Sequence, residues 1–353
     1  MTRPVLLVTN HVPPDRVGAL QALGQREQIE VALYGGRLHH GTAGVEDPGV
    51  PFRRVSQRAV YAAAASGRYR AVIASSAGRI ALPAAFLGAR RAKLPFIYWT
   101  GIWHQVATPA HIAAAPLVRW IESHADAVIA YGPHVASYVA DHGAKNVFVA
   151  PQAVDERFWS TRSSGAELRR SLGSPELLVG LAARREPGKG LEVALDAWRR
   201  GGIGDLAIAG ASADEIDGLA SVHALGPLNP LEMRELYGAA DIWIVPSVAT
   251  RKFREPWGLV VNEAMHQETA VIASDSVGAV AGGLVRDGET GLTFTSGDAA
   301  ALAAAVRRLK DDVNLREKLA SAGHNSIGAY NYAAWADGAC EAIASVSARR
   351  GAC

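Results

Sequence analysis

Short apolar runs, almost unbroken by polar residues, alternate with helix-length stretches along nearly all of the 353-residue chain, and this rhythm restricts the fold more than any other feature. In the first half the candidate strands are Val5–Thr9, Ile29–Tyr34, Ala71–Ala74, Pro95–Trp99, Ala127–Tyr131 and Val147–Ala150. Amphipathic or alanine-rich helices are expected between them, near 14–24, 57–67, 78–92, 110–124 and 133–142. Strands that are apolar at successive positions, rather than at alternate ones, are covered on both faces, as in a parallel sheet. Repeated β-then-α order specifies a doubly wound α/β fold.

Residues 151–176, PQAVDERFWSTRSSGAELRRSLGSPE, break the rhythm and read as a linker with one short helix. The pattern then restarts with strands Leu177–Ala183, Leu206–Ala209, Val222–Leu225, Ile242–Val245 and Val271–Ser274. Helices are expected at 190–200, 213–220, 230–239 and 258–267, and three more close the chain near 298–310, 313–327 and 332–348. The expectation is two Rossmann-like domains in series, with a cleft between them that suits a small ligand.

Composition excludes several classes. No window reaches the ~18 uninterrupted apolar residues of a membrane span, and the N-terminal apolar run is too short for a signal peptide. Cys340 and Cys353 lie close together and staple nothing large, which fits a reducing, cytoplasmic setting. No His, Cys and Asp cluster shows metal-ligand spacing, so no metal site is expected. His39-His40, His134 and His142 read as surface loop and helix residues. Residues 1–150 carry 15 Lys/Arg against 8 Asp/Glu, a balance of +7, and the remainder carries −5. A basic first half points either to an anionic partner or to an ordinary solvated face.

The chemistry concentrates in FREPWGLVVNEAM, residues 253–265. It follows the strand Ile242–Val245, whose carboxyl end faces the ligand crevice of a parallel sheet. Gly258 opens a helix, and a helix start offers unpaired amides and positive dipole character to a phosphate. Glu263 lies about 7 Å further along, at ~1.5 Å per residue, where a carboxylate can accept bonds from ribose hydroxyls. Glu255 stands on the other side, where it can accept from a sugar or simply favour the helix dipole. A second stretch, VGLAARREPGKGLEVALDAW, places Arg184 and Lys189 in a loop after a strand, with Gly188 and Gly190 flanking the lysine. Two cations there can balance a diphosphate and stabilise it as a leaving group. It is not a P-loop, because the upstream glycine and the Ser/Thr are missing. The arginine role is open between Arg184 and Arg185.

Glu255 and Glu263 match the Glu-x7-Glu pattern, and the chain resembles retaining glycosyltransferases of the GT-B fold, family 4 (glycosyl transferases group 1). AARREPGKG is similar to that family's Arg…Lys-Gly diphosphate motif, with five residues from Arg184 to Lys189. APQAVDERFW resembles its interdomain segment, with Val154-Asp155 retained, and DSVGAVAGGLVRDGETGLTF resembles its donor-side loop and strand. The resemblance implies an acceptor-binding domain over 1–155, a nucleotide-sugar-binding domain over 156–330, and a C-terminal helix, 331–353, packing back toward the first. It implies a hexosyl transfer from a nucleotide-diphosphate sugar to a hydroxyl, with retention and without an obligatory metal or other cofactor. The donor site would comprise Gly18, Arg184, Lys189, Glu255, Pro256, Trp257, Gly258, Leu259, Val260 and Glu263. His104 follows a strand, as a family histidine near the transferred sugar does, and joins Arg184, Lys189 and Glu255 in the catalytic set.

Two departures stand out. The first strand-to-helix loop, NHVPPDRVGAL, has Gly18 alone where many members carry Gly-Gly, and VGAVAGGLV has no acid after its Gly-Gly pair. Trp99 and Trp103 read as core, with stacking on a sugar face as the other reading. HIAAAPLVRWIESHA, residues 111–125, reads as a core-packing helix, with a membrane-facing helix as the other reading. The acceptor is open between a lipid-linked glycan, reached by peripheral contact with an anionic membrane on its cytoplasmic face, and a small molecule. No basic stripe is interleaved with aromatics, so nucleic acid is not expected. A sugar-nucleotide 2-epimerase, a glycan phosphorylase and a non-catalytic nucleotide-sugar-binding protein are the competing readings.

Overall fold

The computed structural model describes residues 3–35, 38–39, 42–43, 45–216 and 218–348. His40 and Cys353 lie outside the described residues. The chain divides into two compact units, Met1–Asp155 with Tyr330–Cys353, and Glu156–Ala329.

The first unit holds β1 (Val5–Thr9), β2 (Ile29–Leu33), β3 (Leu38–His39), β4 (Thr42–Ala43), β5 (Phe52–Arg54), β6 (Ala71–Ser75), β7 (Phe96–Thr100), β8 (Ala127–Ala130) and β9 (Val147–Val149). Seven of them form a parallel sheet in the order β5-β2-β1-β6-β7-β8-β9, while β3 and β4 pair as a separate antiparallel ribbon. β1, β7 and β8 are buried throughout, as continuous apolar strands require. β5 departs from the expected pattern. It is short, carries Arg53 and Arg54, and sits half exposed at the sheet edge, where a charged sequence serves.

One face of this sheet is covered by helices Pro14–Gly24 and Tyr332–Ala348, which pack on each other, the latter also on β8 and β9. Gly18 lies inside the first of these helices, and a Cβ there would sit 2.1 Å from the Tyr332 ring. Its missing side chain makes room for the closing helix. Arg16, on the same helix, is buried among the rings of Trp99, Tyr131 and Trp335 at 5.3–5.5 Å, and donates to Gln152 Oε1 at 2.7 Å. Trp99 is core, as expected. Gly18→Ala gains about 0.5–1 kcal/mol of helix propensity. Overpacking against Tyr332 costs about 1–3 kcal/mol, so the expected outcome is a lower melting temperature with nucleotide affinity unchanged.

The other face carries helices Ala59–Ala65, Ala81–Arg91 and Pro109–Ser123. The last departs from the core-packing expectation, because Ile112, Leu117 and Trp120 are 56%, 47% and 46% exposed and only Ile121 and Glu122 are buried. No helix among the described residues is long and apolar enough to cross a membrane.

The second unit holds β10 (Leu178–Ala182), β11 (Asp205–Ala209), β12 (Val222–Gly226), β13 (Ile242–Val245), β14 (Ala270–Ser274) and β15 (Leu292–Phe294). They form a parallel sheet in the order β12-β11-β10-β13-β14-β15. The direction of chain progression reverses between β10 and β13, and the crevice outside their carboxyl ends is the ligand position of such a sheet. Gly180 on β10 lies opposite Trp243 on β13, and a Cβ there would meet that ring at 2.3 Å. The helix expected over 213–220 shrinks to a single 3-10 turn, Ala213–Glu215. The Glu215 carboxylate folds back to accept from the Ser212 amide at 2.8 Å, and Gly218 has φ +64°, which a helix cannot continue.

Candidate functional site

The loops leaving β10 and β13 meet at that reversal point. Gly188 and Gly190 have φ +98° and +75°, conformations open to glycine at little cost. A Cβ on Gly188 would meet Phe253 at 2.3 Å, and one on Gly190 would lie 1.8 Å from the Pro246 carbonyl oxygen. The two glycines thus press the first loop onto the second, and the Val248 amide donates to the Gly188 carbonyl at 2.8 Å. This close approach delivers Lys189 Nζ to Glu255 Oε2 at 2.9 Å. The ammonium also stands 5.2 Å from the centroid of the Phe253 ring. Ser247 Oγ donates to the same Glu255 oxygen at 3.2 Å. The Ser247 carbonyl in turn accepts from the buried hydroxyls of Ser274 and Ser276.

The backbone of 255–257 is fixed from the other side. The Gly278 amide donates to the Glu255 carbonyl at 3.0 Å, and the Ala279 amide to the Trp257 carbonyl at 2.8 Å. A Cβ on Gly278 would lie 2.0 Å from the Pro256 carbonyl oxygen, so the donor-side loop can approach only through a glycine. Trp257 is 2% exposed, and its indole N–H donates to Asn262 Oδ1 at 2.8 Å. Its side chain therefore holds the loop in place.

Gly258, at φ +90°, caps helix Leu259–His266, and its carbonyl already accepts from the Val261 amide. The preceding amides, of Leu259 and Val260, have no carbonyl one turn back within the helix. Leu259 and Val260 are half-buried, and the helix start carries two donors without a partner in the helix and positive dipole character. Glu263, just over a turn on, accepts from the Tyr237 hydroxyl at 2.6 Å. Burial, and then the Glu263 charge, push the Tyr237 hydroxyl well above its ordinary pKa, so it stays a donor. Trp243 and Trp159 pack on the Tyr237 ring at 4.2 and 5.6 Å and fix its position.

Arg184 ion-pairs with Glu186 at 3.7 Å, and its stem runs past Gly210 at the end of β11. Arg185 reaches Glu192 at 3.0 Å, with both side chains more than half exposed. One segment of the C-terminal unit thus gathers Lys189, Glu255, Pro256, Gly258, Leu259, Val260 and Glu263, with Arg184 on the loop that carries Lys189. His104 and Gly18 belong to the N-terminal unit. His104 is half-buried beyond β7, and its neighbour Trp103 packs edge-on against His134 at 5.0 Å. Among the described residues no three His, Cys, Asp or Glu side chains gather as a metal site.

Residues 166–326 match the family model of glycosyl transferases group 1. The C-terminal unit is a glycosyl transferases group 1 domain. The resemblance carried by Glu255 and Glu263 therefore stands. Similar relatives include a phosphatidyl-myo-inositol mannosyltransferase of Mycobacterium leprae, 33% identical over 174 residues, 46% of this chain and 44% of that protein. A D-inositol 3-phosphate glycosyltransferase of Corynebacterium aurimucosum is 32% identical over 173 residues, 45% of this chain and 37% of that protein. The chain thus spans less than half the length of these relatives. Among solved structures, Anabaena HepE in complex with UDP superposes with a TM-score of 0.79 at 20% identity, covering 98% of this chain and 100% of that one. At that identity the likeness establishes the fold, which is GT-B.

Within the glycosyl transferases group 1 domain, helix Leu259–His266 ends on a buried histidine. Burial lowers the His266 pKa to about 4, aided by His324, while Ser160 Oγ lies 3.2 Å from Nδ1. The unfolded chain takes up this proton near pH 6.5 and the folded chain only near 4, so the unfolded state binds more protons between these values. Stability is present above pH 6.5 and is lost as pH falls toward 4, by up to about 3 kcal/mol. Urea unfolding of the wild type and His266→Asn across that window should show the slope flattened in the variant.

Proposed function

We propose that this chain is a retaining glycosyltransferase of hexosyl type, moving a sugar from a nucleotide-diphosphate donor to a hydroxyl acceptor. The observation that carries the reading is the convergence of Lys189, Glu255 and the Gly258-led helix start at the strand-order reversal. A diphosphate seated on the Leu259 and Val260 amides meets positive charge from the helix start and from Lys189. An ammonium has three donors, so Lys189 can hold Glu255 and a phosphate oxygen together. Glu263, oriented by Tyr237, accepts from the ribose hydroxyls, and Glu255 accepts from the transferred sugar.

In the reaction the bond from the anomeric carbon to the leaving phosphate oxygen breaks. The acceptor oxygen bonds to that carbon on the same face, and its proton passes to the departing diphosphate. Lys189, Arg184 and the helix amides stabilise the charge that develops on the leaving group. These fixed charges support a mechanism that uses no metal and no other cofactor. His104 hydrogen-bonds a hydroxyl of the transferred sugar. UDP-sugars are the first donors to test, because HepE was solved with UDP. The acceptor is the terminal hydroxyl of a lipid-linked glycan or a small molecule, in glycan or glycolipid biosynthesis. The basic N-terminal half and the exposed Ile112, Leu117 and Trp120 support a cytoplasmic protein in peripheral contact with an anionic membrane.

The purified chain should be incubated with UDP-, GDP- and ADP-sugars without acceptor. Slow release of nucleoside diphosphate is the expected result. Interconversion of the sugar would mark an epimerase, and tight binding without turnover a non-catalytic protein.

A further inference from the structure

Residues 151–176 break the strand and helix rhythm, yet part of that stretch is tied down at the far end of helix Leu259–His266. Three successive residues there hold it. His266 Nδ1 lies 3.2 Å from Ser160 Oγ. Gln267 is 3% exposed; its amide group donates to the Trp159 and Thr161 carbonyls and accepts from the Ser163 amide at 2.9 Å. A buried carboxamide used at both ends fixes the backbone it bridges. Glu268, at a left-handed φ of +59° that a non-glycine residue rarely adopts, ion-pairs with Arg162. From another side Arg234 donates to the Phe158 carbonyl at 3.1 Å and lies 4.6 Å from the centroid of the Phe158 ring. All of these residues belong to the C-terminal unit.

Trp159 sits at the centre of this clamp and is 8% exposed. Its ring meets the Tyr237 ring edge-on, with centroids 5.6 Å apart and planes at 78°. Tyr237 follows Arg234 by about one turn on helix Pro230–Ala239, and its hydroxyl donates to Glu263 at 2.6 Å. With Trp159 gone, the phenol ring would keep Trp243 but lose its second aromatic neighbour. We propose that Trp159 is a positioning residue of the nucleotide site, acting through Tyr237 to aim the Glu263 carboxylate, and that segment Glu156–Ser163 is part of that site rather than a passive connection. The assignment rests on the reading of Glu263 as the ribose acceptor. A carboxylate already aimed at its ligand has less freedom to lose on binding. The coupling is reciprocal: a nucleotide that engages Glu263 favours the clamped segment by the same factor that the clamp favours the nucleotide.

The test is a double-mutant cycle on the full chain, read by titration calorimetry with UDP, GDP and ADP. Trp159→Leu should weaken nucleotide binding by about 3- to 10-fold in the wild-type background, but by less than about twofold in Tyr237→Phe, where the hydroxyl it acts through is gone. Trp159→Phe, which keeps an aromatic edge against Tyr237, should retain most of the affinity. A loss of equal size in both backgrounds would make Trp159 ordinary core packing and overturn the proposal, as would unchanged affinity in folded Trp159→Leu. Hydrogen exchange gives a second measurement that leaves Trp159 in place. Saturating nucleotide should slow exchange of amides 159–163 in the wild type, and Tyr237→Phe at the same saturation should lose most of that slowing. Equal slowing in the two proteins also overturns the proposal. If Glu263→Ala binds nucleotide as tightly as the wild type, the ribose reading of Glu263 fails and takes this inference with it. A weakened Glu263→Ala beside an unaffected Trp159→Leu sinks this inference alone.

Discussion

Lys189→Ala is expected to lower kcat about 10²–10³-fold, the cost of removing one preorganised donor from a developing negative charge. The donor KM should change much less, because the ammonium is worth most when the leaving diphosphate gains charge. The effect has a second source. The Glu255 side chain is 12% exposed and loses its 2.9 Å partner, leaving a nearly buried carboxylate without the cation that balanced it. Comparing Glu255→Gln with Lys189→Ala/Glu255→Gln separates the two, since both lack the carboxylate and they differ only in the cation. Steady-state kinetics in which Lys189→Ala turns over like the wild type would remove this cation from the mechanism.

The second large effect is on binding. Glu263→Ala should weaken nucleoside diphosphate affinity by roughly 1.5–3 kcal/mol, about 10- to 100-fold, the range of hydrogen bonds to a charged group. Tyr237→Phe should act in the same direction by less, because it removes the 2.6 Å bond that orients the carboxylate but leaves the carboxylate in place. Titration calorimetry on both variants checks the order. A fall in melting temperature with unchanged affinity would make Glu263 a purely structural partner of Tyr237.

The sheets were legible because buried parallel strands leave continuous apolar runs, as in Phe96–Thr100 and Ile242–Val245. The edge strand Phe52–Arg54 was not, since an edge tolerates arginines and leaves no such run. The loop carrying Lys189 was legible from its flanking glycines. What those glycines do was half legible. At Gly188 and Gly190 they permit a close approach, whereas at Gly18 the space is taken by Tyr332, more than 300 residues away in the chain. Glycine spelling alone cannot tell a ligand from a packed ring. Tyr237 was missed for a related reason. It lies 26 positions before Glu263, and only the packing of helix Pro230–Ala239 brings the two together. Trp257 and Asn262 were invisible as a pair because a tryptophan beside a glycine-led helix reads equally well as a ligand platform or a loop anchor.

A diphosphate is expected to rest on the amides that begin helix Leu259–His266, beside Lys189. A crystal structure with bound nucleoside diphosphate tests it most directly. Phosphate oxygens are expected within hydrogen-bond distance of the Leu259 and Val260 amides and of Lys189 Nζ, with ribose hydroxyls on Glu263. A nucleotide bound elsewhere, with that helix start and Lys189 untouched, would contradict it.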